Sequence, residues 1–129
     1  MIVLDTHAWL WWVSAPARLG RLARRQIEQA RKLGIPAICC LEIATLAARG
    51  RIGLDRPVLA WLHESLAQPD VDLPPLTPAV SVKAAELPTD FPGDPADRLI
   101  VATAILESAM LVTKDHRIQQ YAGVRTVWS

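Results

Sequence analysis

Met1-Ile2-Val3-Leu4-Asp5-Thr6-His7 opens the chain. Four apolar residues followed by an acid read as a short buried strand, Met1 to Leu4, that Asp5 ends. No basic region precedes the apolar run, and Asp5 and His7 interrupt it, so it is not a signal peptide. A similar form recurs further along. Pro36 to Cys40 reads as a second buried strand with Glu42 just beyond it, and Met110 to Thr113 as another with Asp115 two residues on. Helical patterns fill the intervals. Strands alternating with helices predict an α/β sandwich around a mostly parallel sheet.

The intervening elements follow from periodicity and breakers. Ala8 to Val13 reads as a short helix rich in Trp, and Ser14 to Pro16 as a break. Leu19 to Leu33 has Leu19, Leu22, Ala23, Ile27 and Ala30 on one face and predicts a helix that Gly34 closes. Leu41 to Arg49 predicts a helix ending at Gly50 and Gly53. Pro57 to Gln68 is amphipathic, with Val58, Trp61, Leu62 and Leu66 on its apolar side. Val71 to Leu76 reads as a third strand that Pro74 and Pro75 confine to an edge. Pro78 to Leu87 predicts a helix with proline in its first turn. Pro88 to Gly93 is a loop. Asp94-Pro95-Ala96-Asp97 opens a long helix to about Ser108, and Val124 to Trp128 reads as a fifth strand.

With 129 residues, half of them hydrophobic, the chain fits one folded domain with a core that needs no staples. The net charge of +1 lacks the strong basic balance of many nucleic-acid binders. Cys39 and Cys40 are neighbours, too close in the chain to bridge readily. They read as free buried thiols, which suits a reducing cytoplasm. Leu99 to Leu106, the longest uncharged apolar stretch past the N-terminus, is far too short to cross a bilayer.

The acids carry the chemistry. In parallel α/β sheets, ligands bind beyond the carboxyl ends of the strands. Asp5, Glu42 and Asp115 fall at or near such ends, and Asp97 lies in the first turn of the helix opening at Asp94. Converging carboxylates raise one another's pKa unless a cation neutralises them. Oxygen donors select hard ions, so Mg²⁺ or Mn²⁺ is expected. Such ions polarise a phosphoryl oxygen and stabilise a leaving oxygen, which suits phosphodiester hydrolysis. Each acid alone also has a structural reading. Asp5 ends a strand, Glu42 and Asp97 suit a helix dipole, Asp94 suits an N-cap, and Asp115 suits a turn.

Taken together, Ile2-Val3-Leu4-Asp5-Thr6-His7, Glu42 after an apolar run, Asp94-Pro95-Ala96-Asp97-Arg98-Leu99-Ile100-Val101-Ala102-Thr103-Ala104 and Leu111-Val112-Thr113-Lys114-Asp115 resemble the PIN-domain family. More narrowly, they resemble the VapC-type ribonuclease toxins of toxin–antitoxin pairs. The resemblance runs over essentially the whole chain. It implies a PIN-like three-layer α/β/α sandwich with a mostly parallel central sheet. It also implies Mg²⁺- or Mn²⁺-dependent endonucleolytic cleavage of RNA, and neutralisation by a VapB-like antitoxin. The family's catalytic and metal-ligating acids map onto Asp5, Glu42, Asp97 and Asp115. Asp94 matches a further acid of one subgroup. Thr6 and Thr113 match small hydroxyl positions that orient carboxylates or water. Arg98 is a candidate to bind phosphate or to pair with an acid such as Asp94. His7 departs from the small residue many members carry, and it suits packing or RNA contact.

Two further features concern partners. Arg18, Arg21, Arg24, Arg25, Arg31 and Lys32 form one basic group, and Arg49, Arg51 and Arg56 another. Both suit phosphate contact or a solvated face. Trp9, Trp11 and Trp12 lie too close together for all to enter a small core, so one or two are expected at an interface with the antitoxin or with a second copy in a homodimer. Rival folds fit less well. An aspartyl phosphatase usually places a second Asp where His7 stands, and a receiver domain needs an Asp after its third strand. A catalytically weak binding module remains the alternative to an enzyme. Zinc signatures and a P-loop are absent.

Overall fold

The computed structural model describes residues 1–129. Five short strands form one parallel sheet: β1 (Ile2–Leu4), β2 (Leu33–Gly34), β3 (Val71–Asp72), β4 (Met110–Val112) and β5 (Thr126–Val127), in the order β3-β2-β1-β4-β5. Every residue of β1 is buried, as are Leu111 and Val112 of β4. Successive strand residues point to opposite faces, so burial of consecutive residues means that both faces are covered. Seven helices provide that cover: α1 (Thr6–Ser14), α2 (Arg21–Gln29), α3 (Ile38–Ala48), α4 (Val58–Leu66), α5 (Pro78–Glu86), α6 (Pro95–Leu106) and α7 (His116–Gln119). The expected α/β architecture is the one found.

One core of 25 buried residues runs between sheet and helices. Trp9 of α1 and Trp61 of α4, both essentially inaccessible, meet at 5.1 Å between ring centroids. Trp11 is buried as well and packs on Trp128 at 5.7 Å. Only Trp12 of the early trio keeps substantial exposure. The C-terminus is fastened to the start of α2, where Ala23 N–H donates to the Trp128 carbonyl at 2.8 Å. A Cβ on Gly20 would stand 2.1 Å from that same oxygen, so only glycine lets the two backbones approach this closely.

The sequence reading misplaced one segment. Leu33 and Gly34 are not the end of a helix but strand β2, paired in parallel with Ile2 and Val3. The helix stops at Gln29. The apolar run read as a strand, Pro36 to Cys40, instead leads into α3, which starts at Ile38. A short apolar run carries no period that separates strand from buried helix, and a two-residue strand is too brief to leave a pattern. The third strand is an edge strand as expected, at Val71–Asp72. Helix α7 was not anticipated.

Candidate active site at the switch point of the sheet

The strand order places β1 between β2 and β4. The chain winds from β1 towards β2 and β3 on one side, and from β4 towards β5 on the other. This reversal opens a crevice at the carboxyl ends of β1 and β4. A cavity of about 580 Å³ lies there, lined by Asp5, Thr6, His7, Trp11, Glu42, Asp94, Asp97, Lys114, Asp115 and Arg117 among others. All five acids singled out from the sequence therefore meet in one pocket, drawn from four separate stretches of chain.

Each acid is held by the local fold. Asp5 follows β1 and caps α1, its Oδ1 accepting from Ala8 N–H at 2.9 Å. The fully buried Thr113 lies close enough to Asp5 for its hydroxyl to favour the ionised carboxyl. That hydroxyl oxygen accepts from Asp115 N–H at 3.1 Å, so one threonine stands between the acids that follow two neighbouring strands. Thr6 donates to Glu42 Oε1 and ties the start of α1 to α3. Asp94 caps α6, accepting from Ala96 N–H at 2.9 Å, while Asp97 lies in that helix's first turn. Asp115 caps α7, accepting from Arg117 N–H at 2.8 Å.

The electrostatics differ from acid to acid. Burial raises the Asp5 carboxyl above the usual carboxylate range, and the charge of Glu42 adds to this. Hydrogen bonds from Thr113 and Ala8 and the charge of His7 offset it in part. Asp97 is pushed up to about 6, first by burial and then by the charges of Asp94, Asp115 and Glu42. Asp115 goes the other way. Burial pushes it up, but hydrogen bonds and charge from Arg117 more than offset this and hold it low. Arg117 Nη2 sits 3.0 Å from Asp115 Oδ2 and 3.6 Å from Asp97 Oδ2.

Arg117 was not foreseen from the sequence. Its signal was an arginine two residues after a capping aspartate, where it can turn back onto the carboxylate. Arg98, by contrast, makes no ion pair with Asp94 and is turned towards the backbone. Its guanidinium donates to the backbone carbonyls of Ala84, Leu87, Pro88, Phe91 and Pro92 at 2.9–3.3 Å. Two of these carbonyls, those of Ala84 and Pro88, also accept a backbone N–H, and the five bonds leave little of the guanidinium free for an acid. His7 is exposed and lies 5.5 Å from the Trp11 ring.

The donor set fits a hard divalent ion. It is all oxygen, it carries excess negative charge, and Asp97 is raised first by burial and then by acids whose repulsion a cation would relieve. No three of these side chains are drawn together around one point, and Arg117 supplies positive charge at the mouth. Asp5, Asp97, Glu42 and Asp115 are the carboxylates of the crevice that could hold such an ion.

Comparison with known proteins agrees with this architecture. The PIN-domain family model matches residues 2–124, and the chain belongs to the PIN-domain family. Within that family it is 46% identical to ribonuclease VapC22 of Mycobacterium tuberculosis over 98% of each chain, which places it with the VapC-type members. Solved structures share the fold at low identity. VapBC2 of Rickettsia felis bound to a promoter DNA fragment superposes with a TM-score of 0.72 at 17% identity, covering all of both chains. FitAcB of Neisseria gonorrhoeae gives 0.64 at 23% identity, covering 98% of this chain and 96% of the other.

Proposed function

We propose that this chain is a metal-dependent endoribonuclease toxin that hydrolyses RNA phosphodiester bonds and is neutralised by a VapB-like antitoxin. The observation that carries the reading is the convergence of Asp5, Glu42, Asp97 and Asp115 on one crevice, in a chain whose full-length relative is a ribonuclease. Asp5 and Asp97 are the central ligands. The Ala8 N–H fixes Asp5, and Thr6 fixes Glu42, so that both carboxylates are oriented before substrate arrives. When bound, Mg²⁺ or Mn²⁺ supplies Lewis acidity for a phosphoryl oxygen and balances charge on the leaving oxygen. Lys114 and Arg117 flank the acids and draw in a polyanion that the carboxylates alone would repel.

The antitoxin follows from the company this fold keeps, since the R. felis neighbour is a VapBC complex. Leu41 of α3 and Leu59 of α4, 61% and 64% exposed, offer apolar surface to such a partner or to a second copy in a homodimer. No helix is long and apolar enough to cross a membrane. We place the protein in the cytoplasm, with its RNA substrate and with free thiols at Cys39 and Cys40.

The test is incubation of purified, antitoxin-free protein with RNA in Mg²⁺, Mn²⁺ or EDTA, beside Asp5→Ala. Cleavage with either metal, none in EDTA and none by the variant is the expected pattern. Undiminished cleavage in EDTA would remove the metal from the reading. Undiminished cleavage by a well-folded Asp5→Ala would remove the site.

A further inference from the structure

A second groove adjoins the acid pocket. Its volume is about 680 Å³, and its walls include Asp90, Phe91, Gln120 and Tyr121. Arg117 belongs to both spaces, so the groove begins where the acid pocket ends. Its aromatic wall is held in place. The Tyr121 ring meets the buried Phe91 edge-on at 5.3 Å and 71°, and it lies against Gly123 so closely that a Cβ there would come within 2.3 Å of ring atoms. Phe91 in turn belongs to the loop that Arg98 secures through the carbonyls of Pro88, Phe91 and Pro92. Tyr121 is nevertheless only half-buried, and Gln120, Asp90 and Arg117 are exposed. A pre-set aromatic ring, an exposed amide, an acceptor carboxylate and an arginine therefore line one space next to a phosphodiester site.

We propose that this groove is the subsite for the nucleotide of single-stranded RNA that flanks the scissile bond. The inference rests on the ribonuclease reading above and adds where the neighbouring base goes. Arg117, 65% exposed at its side chain, meets the backbone phosphate between the two spaces. Tyr121 offers its ring to the base, and aromatic stacking of this kind tolerates any base. Asp90 only accepts hydrogen bonds when ionised. It therefore favours a base with an exocyclic amino group over uracil, with Gln120 meeting the remaining edge.

The probe is a fluorescein-labelled single-stranded RNA of about a dozen nucleotides, which spans the few-nucleotide footprint of such grooves. Binding is followed by anisotropy on full-length Asp97→Asn protein, so that the RNA stays whole. Adding Tyr121→Ala is expected to weaken binding about tenfold, and Tyr121→Phe to weaken it less than about twofold, since the stacking ring is kept. Gln120→Glu alters an exposed side chain and keeps the test alive if Tyr121→Ala misfolds. Its new charge is expected to weaken binding several-fold, more at low salt. Asp90→Asn is expected to narrow the preference for a cytosine-rich over a uridine-rich probe. If the parent binds RNA and neither Tyr121→Ala nor Gln120→Glu changes its affinity, the subsite is overturned while the ribonuclease reading stands. If the parent binds no RNA at all, the subsite falls, and the ribonuclease reading stands or falls on cleavage by the unmodified protein.

Discussion

Two acid–arginine pairs sit at the mouth of the pocket and end in opposite states. At the start of α6, Asp97 is followed directly by Arg98. At the start of α7, Asp115 is followed two residues later by Arg117. In the fold, Arg98 turns away and spends its donors on five carbonyls, so Asp97 gets no help from it and is pushed up to about 6. Arg117 turns back, and Asp115 is held low. Proximity along the chain does not settle which acid is compensated. What settles it is whether the arginine has a cluster of backbone carbonyls within reach, because several hydrogen bonds from one charged donor return more than a single surface ion pair.

The sharpest break in this contrast is Asp97→Asn. Cleavage should fall by about a thousandfold or more, because an amide keeps the shape but loses the charge that holds a metal. Circular dichroism should show the fold unchanged, since Asp97 does not cap its helix and Asp94 does. Activity within about tenfold of wild type, in RNA cleavage with Mg²⁺ or Mn²⁺, would remove Asp97 from the site.

Arg98→Ala strikes the other member of the same pair and should act on stability instead. Five carbonyls lose a charged donor and the loop before α6 loses its anchor. A loss of about 2–4 kcal/mol is expected in urea unfolding. The Phe91 and Tyr121 rings should also loosen. A loss under about 0.5 kcal/mol would mean that water replaces the guanidinium at no cost.

The pH dependence separates the two acids in sign. Asp97 has a folded-state value near 6 against 3.8 ordinarily, so the folded state holds its proton more tightly than the unfolded chain. Its contribution is therefore most favourable at low pH and declines as pH rises from about 4 to about 6, where it levels off. In metal-free protein, Asp97→Asn should gain stability on wild type across that window, by about 1–2 kcal/mol once solvent screening is allowed for. Saturating Mg²⁺ should shrink or reverse the gain, because the ion stabilises only the wild-type site. An equal difference at pH 4 and pH 7.5, by thermal or urea unfolding, would show that burial and repulsion do not act on Asp97 as the geometry indicates.

Much of this was legible in the chain. Asp5, Asp94 and Asp115 announced themselves as acids beyond apolar runs or before a proline-started helix, and all three are caps. Thr6 and Thr113 stood beside acids, and Thr6 donates to the Glu42 carboxylate while Thr113 accepts from the Asp115 backbone N–H. What stayed hidden depended on backbone geometry at long range. The register that makes Leu33–Gly34 a strand exists only once β1 and β3 lie on either side of it. The role of Arg98 depends on a loop folding back over it, and no local pattern records which carbonyls that loop turns towards the guanidinium. Trp11 joins the pocket wall, and α1 starts at Thr6, two residues earlier than its apolar pattern suggested.

The smallest expected effect is the most specific to the contrast. Arg117→Gln removes the guanidinium that approaches both Asp115 and Asp97 and leaves every cap in place, since the Arg117 backbone N–H still reaches Asp115 Oδ1. Asp115 should then titrate higher, back towards the ordinary carboxylate value, and Asp97 should rise further, because Arg117 is the one group that lowers it. The two acids of α6 and α7 would become more alike. Carboxyl ¹³C chemical shifts followed between pH 3 and pH 8 read both groups at once, without RNA or metal. Stability should change little, as the pair is exposed on the arginine side and such pairs contribute only slightly. A large loss of stability with an unmoved Asp115 titration would show that Arg117 serves the backbone as Arg98 does, and the contrast between the two pairs would collapse.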